Sequence, residues 1–416
     1  DDHVDNWAYR MPITFSGYTG TETLTNFPAL VVFTTAMTDF YDKIATTNPY
    51  ELRFMDSNRV QSLNCDIESW FTNTNSYVWV QVPALSGVTT TIYACWGNAA
   101  ALDQPAYAAN GAAWSNGYAG VWHLAEDPSG TAPQMRDSSS NANHGIAAGA
   151  MPVSAQAAGQ INGSLRLDGS NDYVTIPDYS KFAFGAGDFT LSLWARVDNT
   201  NNANGGHYDR VLFHGNSYNV TSLELDVNAG TLEYRIPNDT LRISSSTKIA
   251  AGTWNHIAIA RNSGVTRLYL NGIQSTATYS GSDSISYSYP LVVGAERDGV
   301  QSSCVTGAVD EVRASGVARS SNWLYACWMN TASNANFCTL GSVDPPLLTG
   351  MGVSNVTATS AVAYATLQGE ADVYLYWDTS DKGLDPTAWG YTNPLGALPA
   401  GPIANGTVSN LAAGFT

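Results

Sequence analysis

The sequence predicts an all-β chain, a multidomain string of antiparallel β-sandwiches. Strand-sized runs that alternate apolar and polar residues, such as VWVQVP (78–83), recur along the chain between Gly, Pro and Asn residues. The 416 residues exceed an ordinary single domain, and no long stretch has the 3.6-residue period of an amphipathic helix. Sandwiches of antiparallel sheets are the simplest architecture for such a chain.

The composition is that of a globular, acidic protein. Hydrophobic residues make up 44% of the sequence, which is enough for packed cores. With 18 Lys and Arg against 35 Asp and Glu, the net charge is −17. Nucleic-acid binding requires a basic face that neutralises phosphates, and the sequence contains no basic cluster. Nucleic acids and anionic membranes are therefore excluded as expected partners. No run of about 18 apolar residues predicts a membrane span.

The first unit, residues 1–105, is predicted to be a β-sandwich. Besides VWVQVP, the runs ALVVFT (29–34) and TIYACWGN (91–98) have strand character. The chain opens with DDHVDNWAYR, without an initiator Met or an apolar leader, and we expect a secreted or cell-surface chain whose signal peptide has been removed. Residues 106–117 are small and polar without a clear period, which predicts a linker.

This first unit resembles a family of bacterial surface-protein domains of unknown function. The resemblance rests on six runs in order: WAYRMPITFSG (7–17), LTNFPALV (24–31), ELRFMDSN (51–58), LNCDIESW (63–70), VWVQVP (78–83) and YACWGNA (93–99). Members of that family typically precede a laminin-G-like domain. The resemblance therefore implies the architecture of the next unit, and it implies no chemistry.

The second unit, residues 118–341, contains five alternating runs: LRLDGSNDYVTIP (165–177), FTLSLWARV (189–197), WNHIAIAR (254–261), RLYLNG (267–272) and GAVDEVRAS (307–315). Asn271-Gly272 predicts a type I′ hairpin, because both positions need positive φ. The runs resemble the laminin-G-like branch of the concanavalin A-like lectin/glucanase superfamily. This resemblance implies a jelly roll that holds a ligand and is not a catalyst. The closing run ARSSNWLYACWMN (318–330) is predicted to contain one short helix.

The third unit follows a Pro-containing linker, residues 342–349, in which Asp344-Pro345-Pro346 stiffens the chain. The runs VSNVTATSAVAYATL (353–367) and ADVYLYWDTSD (371–381) resemble the early strands of a fibronectin type III-like sandwich. Such a domain needs about 100 residues. We therefore expect residues 350–416 to be an incomplete β-sandwich of a natural chain that continues.

Five cysteines without a CxxC motif make a zinc ribbon or a thioredoxin-like site an unlikely interpretation. In an exported protein they suggest two disulfides and one remaining thiol, Cys304. We expect a Cys65–Cys95 disulfide, since each residue lies in an apolar strand, and a Cys327–Cys338 disulfide that closes a short loop. Other connectivities remain open.

Two acidic pairs are the candidates for catalysis. Asp66 and Glu68 lie about 6.5 to 7 Å apart on one strand face, near the separation of about 5 to 5.5 Å in retaining glycosidases. Their run is faintly similar to laminarinase-type glycosidases, but the fuller acidic pattern of those enzymes is absent. Asp310 and Glu311 are adjacent, so they are expected to face opposite sides of a strand, with Glu311 toward solvent or Arg313. We predict no catalytic residue and no enzymatic activity.

Calcium is the cofactor that the acidic loops suggest. The run VVGAERDG (292–299) resembles the calcium loop of pentraxins, which implies Glu296 and Asp298 as ligands, although Arg297 cannot coordinate a cation. A second candidate set comprises Asp168, Asp172 and Asp310. The strands that carry these residues are commonly neighbours in this fold. The alternative for both sets is turn chemistry, in which Asp bonds its own backbone.

Tyrosines in Ser/Gly/Asn-rich segments are the candidates for stacking on a sugar ring. Tyr287 and Tyr289 are predicted to share a face and form a platform, or else to pack on a neighbouring domain. Tyr208 and Tyr218 are further candidates.

Two functions fit these patterns. The first is a secreted or cell-surface, non-catalytic protein whose lectin-like jelly roll binds a glycan or a surface ligand. The alternative is a structural subunit of an extracellular layer, stalk or filament, built by domain contacts between like subunits.

Overall fold

A computed structural model describes residues 7–41, 44, 49–71, 73–98, 101, 103–200, 208–216, 222–236, 239–296, 303–343, 348–357, 359–367, 371–378, 386–398 and 401–409. Strands in antiparallel sheets dominate, and the predicted all-β fold class is confirmed. Within these ranges, no helix has the length and apolar character needed to cross a membrane.

The first sandwich consists of two small sheets that pack their apolar faces together. Its elements are β1 (Tyr9–Phe15), β2 (Leu24–Phe33), α1 (Thr38–Tyr41), β3 (Arg53–Met55), β4 (Cys65–Ser69), β5 (Ser76–Leu85) and β6 (Thr90–Trp96). One sheet has the order β2-β5-β4, and the other contains β1-β6-β3. Two 3-10 turns follow within the predicted linker, and they bury Trp114.

Within its described residues, the jelly roll contains fifteen strands in two large sheets. They are β7 (Tyr118–Trp122), β8 (Ile146–Ala148), β9 (Gln156–Ala158), β10 (Gly163–Asp168), β11 (Tyr173–Ile176), β12 (Phe189–Val197), β13 (Asp209–Gly215), β14 (Ser222–Asn228), β15 (Thr231–Arg235), β16 (Leu241–Lys248), β17 (Trp254–Asn262), β18 (Val265–Leu270), β19 (Ile273–Ser280), β20 (Leu291–Val293) and β21 (Thr306–Ser315). The eight-stranded sheet has the order β19-β18-β17-β12-β21-β10-β9, with β7 also on β21. The seven-stranded sheet has the order β16-β15-β14-β13-β20-β11-β8.

The alternating residues of both sheets fill the jelly-roll core. Ile257 and Ile259 point inward from β17, while Ala258 and Ala260, which alternate with them, point outward. Asn271 and Gly272 have φ of 51° and 73° between β18 and β19, which confirms the predicted hairpin.

After the jelly roll, the chain returns to the first sandwich through α2 (Ser321–Ala332), α3 (Asn334–Phe337) and β22 (Thr339–Leu340). The hydroxyl of Ser320 accepts a hydrogen bond from the Trp323 amide at 3.1 Å and caps α2, the predicted helix. β22 pairs with β1, with Leu340 opposite Ile13. The Phe337 ring packs between Phe15 and Phe27. Residues at the end of the predicted second unit thus complete the first sandwich, and the two domains share one apolar core.

The third region is a separate arrangement of five strands. These are β23 (Leu348–Ser354), β24 (Ser360–Leu367), β25 (Ala371–Trp377), β26 (Tyr391–Leu398) and β27 (Gly401–Ser409). They form the sheets β23-β24-β27 and β25-β26 around a small cluster of Leu367, Val373 and Ile403. The resemblance to fibronectin type III domains stays a prediction.

Candidate functional site

The two outer faces of the jelly roll have different surroundings. On the eight-stranded sheet, Ala258, Ala260 and Tyr269 belong to the apolar core that includes Trp323 of α2. The Trp194 indole on the same sheet donates a hydrogen bond to Thr331 Oγ1 on α2 at 3.1 Å. The return segment and the first sandwich therefore occupy this face, and the outer face of the seven-stranded sheet is the better candidate for a ligand.

The outer face of the seven-stranded sheet carries charged side chains, because alternate residues of its strands are charged and point away from the core. In β14, Leu223 and Leu225 point into the core, so Glu224 points outward. Glu224 lies opposite Arg235 on β15, and Asp226 lies opposite Arg210 on β13. The pairing of these strands gathers a set that we name the charged face: Arg210, Glu224, Asp226, Glu233, Arg235, Asp239 and Glu296.

The two guanidinium groups of the charged face bind its carboxylates. Arg210 lies 3.1 Å from Glu224 Oε2. Arg235 lies 2.6 Å from Glu233 Oε2 and 3.1 Å from Asp239 Oδ1. Five carboxylates thus surround two cations, which leaves an excess of acidic groups.

Asp226 is the least satisfied member of the charged face. Its side chain is 0% exposed, and the nitrogens of Arg210 and Arg235 lie 3.8 Å from its two oxygens, one on each. Neither oxygen accepts a hydrogen bond from the part of the chain that the structure describes. Burial raises the pKa of Asp226 well above its usual range, despite the two arginines. Burial likewise raises the pKa of Glu224.

The charged face reaches solvent at one margin. The Asp239 side chain is 28% exposed. Tyr208 is half-buried, and the guanidinium carbon of Arg235 lies 4.5 Å from its ring centroid. Of the tyrosines predicted for sugar stacking, Tyr208 is thus the one that the structure places beside charged groups, while Tyr218 lies outside the described residues.

The predicted platform of Tyr287 and Tyr289 is wrong. Tyr287 is buried in the jelly-roll core, where its hydroxyl donates to the Ser222 carbonyl at 3.2 Å and its ring contacts His214. Tyr289 is half-buried against the same core. A two-residue spacing cannot reveal that this face points inward.

The structure does not bring Asp168, Asp172 and Asp310 together. Asp168 pairs with Thr306 in the β10–β21 register, so Asp310 lies four residues further along β21, about 13 Å away. Asp168 Oδ1 accepts the Ser170 amide at 2.7 Å, and Asp172 Oδ2 accepts the Asp168 amide at 3.2 Å. These are the turn contacts of the alternative interpretation.

Glu296 lies at the edge of the charged face, 3.8 Å from the Arg210 guanidinium. A calcium ion requires six to eight oxygen ligands, and a neighbouring guanidinium does not fit such a shell. Asp298 lies outside the described residues, so the pairing of Glu296 with Asp298 as calcium ligands stays a prediction.

Glu311 does not face solvent, contrary to one of the two expectations. It adopts a φ of 52° where β21 forms a bulge against β12, and the bulge interrupts the alternation of side chains. Asp310 and Glu311 are therefore both buried, and Glu311 binds Arg313 at 2.5 Å, which was the other expectation.

The cysteines are buried thiols, and the structure contains neither the Cys65–Cys95 nor the Cys327–Cys338 disulfide. Cys65 lies on β4 and Cys95 on β6, in different sheets of the first sandwich. Packed sheets lie about 10 Å apart, beyond the usual reach of a disulfide. Cys327 and Cys338 both pack as thiols in the shared core.

Comparisons with known proteins agree with this architecture. Residues 168–324 match the family model described as the concanavalin A-like lectin/glucanases superfamily. Residues 48–115 match a model described as a domain of unknown function, DUF2341. No curated protein matches the sequence.

Solved structures with partial likeness include two binding domains and one domain of an arabinanase. The binding domain of Paraclostridial Mosquitocidal Protein 1 is 14% identical, with a TM-score of 0.42, over 62% of this chain and 65% of that chain. Domain 4 of the extracellular arabinanase AbnA from Geobacillus stearothermophilus, solved with arabinotriose, is 17% identical, with a TM-score of 0.39, over 50% of this chain and 96% of that domain. The receptor-binding domain of the botulinum neurotoxin C/D mosaic serotype is 12% identical, with a TM-score of 0.39, over 61% of each chain.

The two family models match in the order that the alternating runs of the sequence predicted, with the domain of unknown function before the concanavalin A-like domain. The fifteen-strand jelly roll contains the whole of the first matched segment except its last residues, which enter α2. Residues 168–324 are therefore similar to the concanavalin A-like lectin/glucanases superfamily, and the preceding residues 48–115 are similar to a domain of unknown function.

Proposed function

We propose that this chain is a secreted or cell-surface, non-catalytic protein whose jelly roll binds a neutral glycan at the charged face of the seven-stranded sheet. The superfamily of the jelly roll, which includes lectins, supports a binding role. The acidic surface and the low content of charged residues are typical of exported β-rich proteins.

The observation that carries the proposal is the carboxylate of Asp226. A buried polar group without a hydrogen bond costs free energy, and native proteins seldom keep one without a reason. Because Asp226 is fully buried, a glycan would reach it only if the margin at Asp239 and Tyr208 opens, and sugar hydroxyls would then donate hydrogen bonds to its two oxygens. The guanidinium groups of Arg210 and Arg235 would donate to sugar oxygens, and the Tyr208 ring offers an apolar face at the open margin.

The excess of carboxylates indicates which glycans would bind. With five acidic side chains around two arginines, an additional carboxylate from a uronic or sialic acid would be repelled. A neutral or amino sugar would not be. The charged face thus favours neutral glycans over acidic ones.

The test is binding of the full chain to an array of neutral, uronic and sialylated glycans, with Asp226→Asn as the variant. We expect retention of wild type on neutral glycans and loss of at least about tenfold in affinity in the variant, because each charge-assisted hydrogen bond contributes about 1.5 to 3 kcal/mol. The matched control is Asp198→Asn, which removes a carboxylate that binds Arg196 at 2.9 Å on the eight-stranded sheet. Equal binding by wild type and Asp226→Asn would contradict the proposed site.

Calcium is tested in the same assay by adding EDTA. The prediction of calcium at Glu296 and Asp298 requires that EDTA weakens retention. Retention that is insensitive to EDTA would remove calcium from the proposal and leave the charged face in place.

The alternative function, a structural subunit that assembles with like chains, is favoured by a different observation. The third region exposes apolar side chains on its sheets, including Met351 at 71%, Val353 at 60% and Tyr374 at 52%. Exposed apolar patches often mark protein contacts. Sedimentation of the full chain over a concentration series tests this: concentration-dependent assembly without glycan retention would favour the structural subunit.

A further inference from the structure

A second group of ionisable side chains is buried between the first sandwich and the jelly roll. We name it the interdomain cluster: Asp66, Glu68, His123, Glu311 and Arg313. Asp66 and Glu68 come from β4 of the first sandwich, whereas the other three come from β21 and the end of β7 in the jelly roll. Contacts across this cluster therefore connect the two domains directly, and they do not involve the charged face.

His123 is bound on both ring nitrogens. Its Nδ1 lies 2.5 Å from Glu311 Oε1 and 3.5 Å from Glu68 Oε2, and its Nε2 lies 3.4 Å from Asp66 Oδ2. An imidazole with a carboxylate at each nitrogen is favoured in its protonated form, because only the imidazolium donates from both positions. The ring thus joins a carboxylate of its own domain to two carboxylates of the other domain.

The first sandwich positions its two carboxylates with tryptophans. The Trp79 indole donates to Glu68 Oε2 at 2.8 Å, and the Trp114 indole donates to Asp66 Oδ2 at 2.9 Å. The same two rings enclose Arg313 of the jelly roll, whose guanidinium carbon lies 4.3 Å and 4.9 Å from their centroids. Such cation–π contacts are strongest when the cation is shielded from water, as it is here.

The geometry fits a shared proton better than a metal ion. Glu68, His123 and Glu311 each offer a ligand atom within 4.8 Å of the others. Zinc would hold its ligands at about 2.0 to 2.2 Å, which places them roughly 3 Å or more apart. The 2.5 Å separation of His123 and Glu311 is instead that of a charge-assisted hydrogen bond, and the Trp79 indole already occupies Glu68 Oε2.

We propose that the first sandwich is a docking domain for the jelly roll, and that Asp66 and Glu68 recognise the jelly roll by binding a protonated His123. The partner that this surface fits is a jelly roll that presents an imidazolium beside a Glu–Arg pair. The shared apolar core around α2 supplies contact area, and the interdomain cluster supplies specificity, since a domain without these cations would leave two buried carboxylates without a cationic partner.

The experiment is hydrogen exchange on the full chain, read by mass spectrometry at pH 7, for Asp66→Asn, His123→Gln and the double variant. We expect Asp66→Asn to accelerate exchange in β7 and β21 of the jelly roll about tenfold, and His123→Gln to do the same in β4 and β5, because each removes one charge-assisted contact of the other domain. The double variant should exchange no faster than the more affected single variant.

The matched control is Glu233→Gln, which breaks a buried ion pair with Arg235 on the opposite face. It should accelerate exchange in β14 and β15 and leave β4 and β5 unchanged. Effects that stay within the mutated domain, or that add fully in the double variant, would overturn the proposal. If a variant fails to fold, hydrogen exchange of the wild-type chain provides the test. The slowest amides of β5 and of β12 should then exchange at rates within about tenfold of one another. A larger difference would show that the two domains open independently and would overturn the proposal.

Discussion

The interdomain cluster and the charged face are both buried, ionisable and built on the jelly roll, but they differ in how well their charges are matched. In the interdomain cluster, indoles, an imidazole and a guanidinium bind each carboxylate through at least one oxygen, and Glu68 Oε1 is the oxygen that accepts no hydrogen bond from the described residues. In the charged face, the Asp226 carboxylate accepts no hydrogen bond from the described chain. Carboxylates that are hydrogen-bonded within the protein stabilise a contact between its own domains. A buried carboxylate without hydrogen bonds indicates instead that a ligand supplies them.

The pKa directions of Glu311 and Asp226 express the same difference. Burial acts to raise the pKa of Glu311, but His123 and Arg313 outweigh it and hold that pKa below its usual value. For Asp226, burial outweighs Arg210 and Arg235, and the pKa is raised. Isosteric removal of each charge should therefore change the free energy of unfolding in opposite directions.

The largest expected effect is that of Glu311→Gln. The substitution removes the carboxylate that binds both His123 and Arg313, so two buried cations lose their common partner. Breaking a buried pair in this way costs about 3 to 5 kcal/mol of unfolding free energy. Urea denaturation at pH 7 measures it. A loss below about 1 kcal/mol would show that the Glu311 carboxylate stabilises the fold no more than Asp226 does.

The next effect is the pH dependence of the interdomain cluster. Burial raises the pKa of Glu68 to about 7. For His123, burial acts in the opposite direction, but Glu311, Glu68 and Asp66 together raise the pKa well above its usual value. Burial and Glu311 raise the pKa of Asp310. All three groups hold protons more tightly in the folded chain. The contribution of Glu68 is therefore present in acid and lost as pH rises from 4.5 to about 7, whereas that of His123 is lost only above pH 6.5.

Other groups around the cluster set the limits of that pH window. The pKa of Asp66 is lowered because His123 and Trp114 outweigh burial, so its contribution is lost only in strong acid. Burial raises the pKa of nearby Glu126, and Glu311 raises the pKa of Arg313 despite burial, so Arg313 stays cationic. His256, which faces Arg313, has a pKa lowered to about 3 by burial, so it opposes stability below its unfolded pKa near 6.5.

The variant Glu68→Gln isolates the pH effect, because glutamine imitates the protonated acid at every pH. Between pH 5 and pH 8, wild type should lose about 2 kcal/mol more than the variant, since the pKa of Glu68 rises from 4.5 to about 7 on folding. Urea denaturation across this range measures the difference. Parallel pH profiles would show that Glu68 titrates normally, and Glu233→Gln serves as the control on the other face.

The third effect, about 1 kcal/mol, has the opposite sign. Asp226→Asn should raise the unfolding free energy at pH 7 to 8, because it removes a buried carboxylate whose raised pKa makes ionisation unfavourable there. Arg210 and Arg235 keep Glu224 and Glu233 as partners. A variant that is more stable and yet fails to bind glycan would identify Asp226 as a functional residue. A destabilised variant would show that Asp226, like Glu311 of the interdomain cluster, stabilises the folded chain.

The sequence predicted the elements that local patterns determine, and it missed what distant pairings determine. Alternation and the Asn271-Gly272 pair predicted strands and a hairpin that the structure contains. No local pattern in the sequence indicates that Leu340 pairs with Ile13. The sequence alone could therefore not predict that this strand completes the first sandwich. The bulge at Glu311 lacks the glycine that usually accompanies a positive φ.

The candidate sites were missed for a related reason. Glu224 and Asp226 alternate with leucine and valine on β14, which is the pattern of an ordinary solvated strand face. Only the pairing of β13, β14 and β15 shows that these carboxylates surround two arginines. Asp66 and Glu68 were recognised as a pair, but their partner His123 is more than 50 residues away in the chain.

The smallest expected effect is that of a reducing agent on the domain contact. Neither expected disulfide crosses the domain contact, but each would stabilise an element beside it, because Cys65 lies next to Asp66 on β4 and Cys327 lies on α2 in the shared core. Each disulfide would contribute about 3 kcal/mol, and its reduction would lower the melting temperature by several degrees. Because packing and the interdomain cluster hold the interface instead, we expect dithiothreitol to leave the melting temperature unchanged.

Alkylation in denaturant without reductant should modify all five cysteines. In the native chain, burial raises the pKa of Cys65 and Cys338 to about 12, so the same reagent should modify both slowly at pH 7. Fewer than five modified thiols in denaturant, together with a reductant-sensitive melting temperature, would transfer part of the stability assigned to the interdomain cluster to a covalent bond.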